Sequence, residues 1–284
     1  MESEMPRNAD RAFRAEANLR SQVPKPDSLE TGLDISGVRH SSVLPLPEAF
    51  RYKLERYARL RGRAPKSMDA LLKSSRGFEP GVQLLCQGER AGQVFIVKQG
   101  WTFTSCSQPN GTRQIHNVQI PGDVAGLQNL LMPFTLCDLT AITRVEACEI
   151  GADCLAEAAA TDPELAHFLL WLLACEIAVA GERLIGVGRR TAIERTAHFI
   201  LELAARLKLA GLETENAFAC PMTQHLFGDS LGLTSVHVNR MMRELRTAGL
   251  VHHQCGWLRV LDRERLARMA MFDSAYLDYP ALAG

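Results

Sequence analysis

The sequence predicts an α+β chain in three parts: a small antiparallel β-roll, one long helix, and a C-terminal winged helix-turn-helix. Three observations predict it. Short alternating apolar runs punctuated by glycine fill the stretch from Phe78 to Ile150. An apolar three-and-four periodicity is then sustained over residues 161–188. Between Met222 and Val251 two helical patterns flank a glycine, each preceded by a threonine. The corresponding division is an extension at 1–45, a roll with leading helices at 46–160, a dimerisation helix at 161–188 and a winged helix-turn-helix at 189–284.

Composition bounds this reading. The chain has 284 residues, 46% hydrophobic and 23% charged, which suits a globular protein of about two domains. Its formal net charge is zero, so any affinity for a polyanion has to come from locally placed cations such as Arg240, Arg243 and Arg246. No signal or transit peptide is expected, and the longest apolar run, residues 168–174, is far short of the ~20 residues of a membrane span. The eight cysteines show no C-x-x-C spacing, which fits free thiols in a reducing, cytoplasmic setting.

Residues 1–45 are polar, rich in Arg, Ser and Pro, and lack periodicity, so they are expected to be disordered. Pro47 is placed to open a helix through Phe50, Leu54, Tyr57 and Leu60, and residues 68–72 suggest a second, short helix. Strands are expected at 82–86, 94–98, 101–106, 115–120 and 141–150, with Gln108-Pro109-Asn110-Gly111 as a hairpin turn. Gly100, Gly122 and Gly126 mark corners. Thr161 or Asp162 caps the long helix and Pro163 suits its first turn. Leu165, Leu169, Leu172, Leu173, Ile177, Ala180, Leu184 and Val187 then form a stripe too broad for a small roll to cover, which a two-fold partner helix would bury. The alternative is a helix packed within one chain. Another helix is expected at 191–209, and Asp262 caps a last one through Met269.

The helix-turn-helix carries the function. Thr223 caps a first helix holding Leu226, Phe227 and Leu231; Gly232 makes the turn, where a positive φ is easiest without a Cβ; Thr234 caps the second. Gly228 is small enough for a close crossing. Val238, Met241, Met242 and Leu245 form the inward face, leaving Ser235, Val236, Asn239, Arg240 and Arg243 outward, the arrangement of a helix that enters a DNA major groove. Two strands around Gln254-Cys255-Gly256 form the wing.

This order of parts resembles the Crp/Fnr family of bacterial transcription regulators, from about Phe50 onward. Leu231-Gly232-Leu233-Thr234 with Val238-Asn239-Arg240 is similar to that family's turn and recognition helix, and residues 187–197 (VGRRTAIERTA) to the hinge of its Fnr branch. Pro121-Gly122-Asp123 with Gly126 looks like the glycine turn of its cyclic-nucleotide-binding-like roll. The run Thr234-Ser235-Val236-His237-Val238-Asn239-Arg240 resembles an alphaproteobacterial subgroup. The resemblance implies a homodimer on a near-palindromic double-stranded operator, with RNA polymerase a candidate partner. It implies a guanine contact for Arg240, whose planar fork matches O6 and N7; a phosphate contact or a free arginine is the alternative. Asn239 would read adenine or hold a phosphate, and Ser235 flanks Arg240. Val236 stands where the family usually has glutamate and can pack on a thymine methyl. His237 is a phosphate ligand, a capping group or merely exposed. Gln224 and Arg243 are phosphate candidates, and Thr234 lies beside them.

The effector pocket implied by the resemblance involves Trp101, Gly122, Asp123, Gly126 and Leu127. The family's cyclic-AMP anchors are absent: Leu127 follows Gly126 where glutamate is needed, and residues 136–140 read LCDLT in place of an Arg-Ser pair. A cyclic phosphate buried there would be unpaired, which is costly. The Fnr branch's iron–sulfur ligands are missing, since no cysteine precedes Cys86, and Cys148 reads as a buried apolar residue. Cys255 in the wing turn is the thiol expected to be most exposed. No cofactor, no metal and no enzymatic activity are expected. Two rival readings remain: a winged helix that binds protein, and a cupin-type metalloenzyme, for which His116 is the single histidine of the roll.

Overall fold

The chain begins to bury apolar surface at its leading helix, α1 (Glu48–Arg61), whose Phe50, Leu54 and Tyr57 face inward. A computed structural model describes residues 48–72 and 74–277; the expected disordered extension and the helix-opening role of Pro47 lie outside the described residues. Leu60, in the last turn of α1, is 41% exposed. A one-turn helix, α2 (Met68–Leu71), follows.

Eight strands then build the roll: β1 (Ser75–Phe78), β2 (Gln83–Leu85), β3 (Gln93–Gln99), β4 (Thr102–Ser107), β5 (Arg113–Gln119), β6 (Val124–Ala125), β7 (Asp138–Ala141) and β8 (Val145–Gly151). They form two four-stranded antiparallel sheets, ordered β1-β8-β3-β6 and β2-β7-β4-β5. The inner faces carry Phe95, Leu85, Ala125, Leu139 and Ala147. The apolar run expected as one strand at 141–150 splits at 142–144. There the chain turns back, the Ile142 N–H donating to the Trp101 carbonyl, so two sheets share what period-two alternation cannot divide. The hairpin at 108–111 joins β4 to β5 as expected.

A ten-residue helix, α3 (Ala152–Thr161), was not foreseen; it is alanine-rich and buries only Ala152 and Leu155. The long helix α4 (Pro163–Arg189) has 27 residues, about 40 Å at 1.5 Å per residue. Its cap is Asp162, whose carboxylate accepts from the N–H groups of Glu164 and Leu165. The N-terminal half of α4 is covered by α1: Phe168 meets Phe50 and Tyr57 edge-on and stacks on Trp171. The other half is bare along one stripe, with Ile177 71% and Leu184 74% exposed.

Only Arg190 and Thr191 separate α4 from α5 (Ala192–Leu209), which opens with a capping box of Thr191 and Glu194. Helix α5 is the spine of the C-terminal core, with Phe199, Ile200, Leu203 and Leu207 buried. Around it lie α6 (Gln224–Leu231), α7 (Ser235–Thr247), α8 (Arg263–Ala270) and a three-stranded wing sheet ordered β10 (Val251–Gln254), β11 (Trp257–Val260), β9 (Ala217–Ala219). The third wing strand, β9, is too short to show alternation in sequence. Trp101, Phe103, Ile115, Val118 and Ile120 from the roll share one continuous apolar cluster with this core.

Candidate nucleic-acid interface

Local chemistry fixes the turn between α6 and α7. The Thr223 hydroxyl accepts from the Leu226 N–H, and the Thr234 hydroxyl from the His237 N–H, so each helix start satisfies one of its free donors. Gly232 sits at φ 62°, ψ 40°, the left-handed geometry expected there. Gly228 is required more strictly: a Cβ on it would stand 2.5 Å from the Leu233 carbonyl oxygen, so a side chain would push the turn away from α6.

Helix α7 buries Val238, Met241 and Leu245 and turns its other faces to solvent. Val236 is 74% exposed at its N-terminal end, an unusual place for a bare β-branched residue. Arg240 is exposed and paired loosely with Glu244, 3.7 Å away one turn on, a link that a stronger acceptor can replace. The Asn239 amide donates to the Gln224 side-chain oxygen at 2.6 Å, tying the two helices across their outer surface. Gln224, Asn239, Arg243 and Arg246 line a groove that β10 closes with Val251 and His253. His237 leans back on Thr234, its Nδ1 3.1 Å from the cap hydroxyl, and Ser235 is half-buried at the first helical position. Arg240, Arg243 and Arg246 thus place positive charge locally on α7 of a chain with no net charge. Cys255, exposed as expected, occupies the wing turn with φ 51°, followed by Gly256 at 76°.

Behind this surface lies a buried chain of charges. Asp123 is held by Lys53 of α1 and by Arg206 of α5; Arg206 also reaches Glu202, which Arg183 of α4 grips at 2.9 Å. The Tyr276 hydroxyl donates to the same Glu202. Burial alone would raise both carboxyls, but the flanking cations more than offset it and hold Asp123 and Glu202 below the ordinary carboxylate values. Beside them, burial and the Asp123 charge lift Glu176 to about 7. A cavity of about 110 Å³ opens here between α1, the roll and α4. Asp123 and Leu127 line it; the other three residues expected in an effector pocket do not. Gly122 packs on Ala49 of α1 and Gly126 on the Gln93 carbonyl. Trp101 is corrected from pocket to core, buried among the residues joining the roll to α5.

His116, the single histidine of the roll, has Cys106 and Cys137 beside it, although they lie 10 and 21 residues away in the chain and their spacing does not disclose the cluster. Cys148 is buried, as expected of an apolar residue.

The profile of the Crp-like helix-turn-helix domain matches residues 194–269, and that of the cyclic nucleotide-binding domain matches residues 75–162. The chain has the domain make-up of a Crp/Fnr-type transcription regulator. Members of the Crp/Fnr family are DNA-binding transcription regulators, not enzymes, and typically act as dimers. The chain is 28% identical over 204 residues to the transcriptional activator protein FnrA of Stutzerimonas stutzeri, covering 72% of this chain and 83% of that protein. It is equally similar to the transcriptional activator protein anr of Pseudomonas aeruginosa, over the same shares of both chains. Among solved structures, FixK2 from Bradyrhizobium japonicum superposes with a TM-score of 0.65 at 28% identity, covering 69% of this chain and 96% of that one. Among the described residues of this Crp/Fnr-type chain, no helix is long and apolar enough to cross a membrane.

Proposed function

We propose that this regulator binds a near-palindromic operator as a cytoplasmic homodimer, with α7 of each copy in a major groove and the roll as its sensor. The observation that carries the reading is the solvent-facing side of α7: Val236, Asn239, Arg240 and Arg243 are exposed and Ser235 is half-buried beside them, on a helix whose position Gly228, Gly232 and Thr234 fix. Arg240 reads guanine bidentately. Val236 replaces an acceptor by an apolar surface and packs on a thymine methyl. Asn239, oriented by Gln224, reads adenine or holds a phosphate, and Thr234, His237, Gln224 and Arg243 contact the backbone. The bare stripe of Ile177, Leu184 and Val187 on α4 supports a parallel partner helix, which would set two copies of α7 one helical turn of DNA apart. Membership of the alphaproteobacterial subgroup and contact with RNA polymerase belong to the same reading.

Selection of sites from random DNA at stated salt, by wild type and Arg240→Ala, tests it. Two half-sites about 10 bp apart, lost in the variant, are the expected result. No enrichment by wild type, or enrichment unchanged by the variant, would overturn base reading by α7. Sedimentation of wild type and Leu184→Glu tests the dimer separately.

A further inference from the structure

The cluster in the second sheet of the roll has the donors and geometry of a metal centre. Cys106 comes from β4, His116 from β5 and Cys137 from the residue preceding β7, and their ligand atoms all lie within 4.8 Å of one another. The two sulfurs are 2.9 Å apart, and the His116 Nε2 is 3.2 Å from one and 3.8 Å from the other. Sulfurs so close are in direct contact, as in a shared thiol proton, a pair poised to form a disulfide, or a pair that closes on a common cation. Two thiolates and an imidazole around a tetrahedral zinc ion would sit about 3.8 Å apart between sulfurs and about 3.5 Å between sulfur and nitrogen, given bonds of ~2.3 and ~2.0 Å. Separation of the thiols by under one ångström reaches that geometry.

A second observation concerns how His116 arrives there. The β4–β5 ladder pairs Thr104 with Asn117 and Ser105 with Ile115, so His116 is the extra residue of a β-bulge. A bulge re-aims one side chain and leaves its backbone outside the ladder. The side chain goes to the two cysteines. The freed His116 carbonyl accepts from Arg183 of α4 at 2.8 Å, and the same guanidinium grips Glu202 of α5. The strand continues to the DNA-binding domain: Arg113 of β5 pairs with Asp229 of α6, and the Gln114 amide donates to the Ser230 carbonyl. The neighbouring carboxylate, Asp138, is engaged by the Gln87 N–H and leaves the donor set to sulfur and nitrogen. Such a set selects soft or borderline cations over magnesium or calcium.

We infer that Cys106, His116 and Cys137 form a site for one thiophilic divalent cation of the zinc class, and that its occupancy is transmitted through the His116 bulge to Arg183 and the DNA-binding domain. Binding M²⁺ displaces the two thiol protons to solvent, so the occupied centre is neutral, with its fourth position open on the exposed side of His116. The transmission step rests on the DNA-binding reading above; the site does not.

The test uses the reduced full chain. Zn²⁺ is titrated against a chromophoric chelator, and Cd²⁺ uptake is followed by its ultraviolet thiolate charge-transfer band, with no DNA present. One ion per chain is expected, with affinity reduced at least about tenfold in His116→Ala and in Cys106→Ser/Cys137→Ser. Cys154→Ser/Cys255→Ser, which removes two exposed thiols, should leave uptake unchanged, and metal-free melting curves establish that each variant folds. Absence of uptake by wild type, uptake unaffected in the first two variants, or a pair that only oxidises to a disulfide would overturn the site. DNA affinity is then compared with and without Zn²⁺ on the selected operator. A several-fold change that disappears in His116→Ala supports transmission, and equal affinities with metal bound overturn it. If no operator is found, the uptake measurement still decides the site.

Discussion

Two junctions hold the molecule together, and they are built from opposite materials. Where α1 meets α4, the contact is mainly aromatic: Phe50, Tyr57, Phe168 and Trp171 pack edge-on and stacked, and the Tyr57 hydroxyl adds a polar tie, to Glu164. Where the roll meets the DNA-binding domain, an apolar floor of Trp101, Phe103 and Ile115 is crossed by ion pairs that run from Lys53 through Asp123, Arg206 and Glu202 to Arg183. Apolar contact is non-directional and tolerates small shifts. A chain of buried charges does not, because each member that loses its partner is left unpaired in low dielectric. The first junction therefore fixes α4 on the roll, and the second makes the pose of the DNA-binding domain depend on exact pairings, a property suited to a regulator.

Four experiments break or sharpen this contrast. The largest effect is expected from Phe168→Ala, which empties the centre of the aromatic junction: a loss of about 4 kcal/mol in denaturant unfolding, with operator affinity of the folded fraction unchanged. Arg206→Met should cost roughly 3 kcal/mol by stranding Asp123 and Glu202, and should also alter operator affinity; adding Asp123→Asn should recover part of the stability. Arg113→Ala removes a pair that is about one-third exposed, so less than ~1 kcal/mol is expected, read best as increased amide exchange where α6 touches β5. Acid gives the fourth. Asp123 and Glu202 lie below their ordinary values of 3.8 and 4.5, so their stabilisation is complete above those values and is lost as the pH falls through the depressed ones. The thermal midpoint should drop below pH 4.5, and less steeply in Arg206→Met.

The two junctions also differ in how far the sequence reveals them. Spacing alone places Phe50, Leu54 and Tyr57 on one face of α1 and the leucines along α4, because helical periodicity reports directly on burial. The caps at Thr223, Thr234 and Asp262, and the glycine turn at Gly232, were equally legible, since each rests on a local hydrogen bond or backbone angle; for α4 the sequence left Thr161 and Asp162 open, and the cap is Asp162. The charged junction was not. Lys53, Asp123 and Arg206 meet from three elements more than 80 residues apart in the case of Asp123 and Arg206, and nothing in the local pattern around any of them signals the others. Trp101 failed for the same reason: its partners lie in α5 rather than around a pocket. The Cys106, His116 and Cys137 cluster was hidden by a bulge, which shifts the pairing by one residue and so defeats alternation.

Arg190 is the first of two residues between α4 and α5, with φ −84° and ψ 140°, and Thr191 follows at φ −62° and ψ 165°; the Arg190 guanidinium is clamped to the carboxylate and carbonyl of Glu182. The 18 residues of α5 make a rigid arm about 27 Å long beyond this fulcrum. A torsional adjustment of about 10° at Arg190 would carry the far end of that arm by roughly 5 Å, more than the rise between successive base pairs. The angle between the two helices thus rests on the backbone of Arg190 and Thr191, and the Glu182 contacts hold the first of them in place.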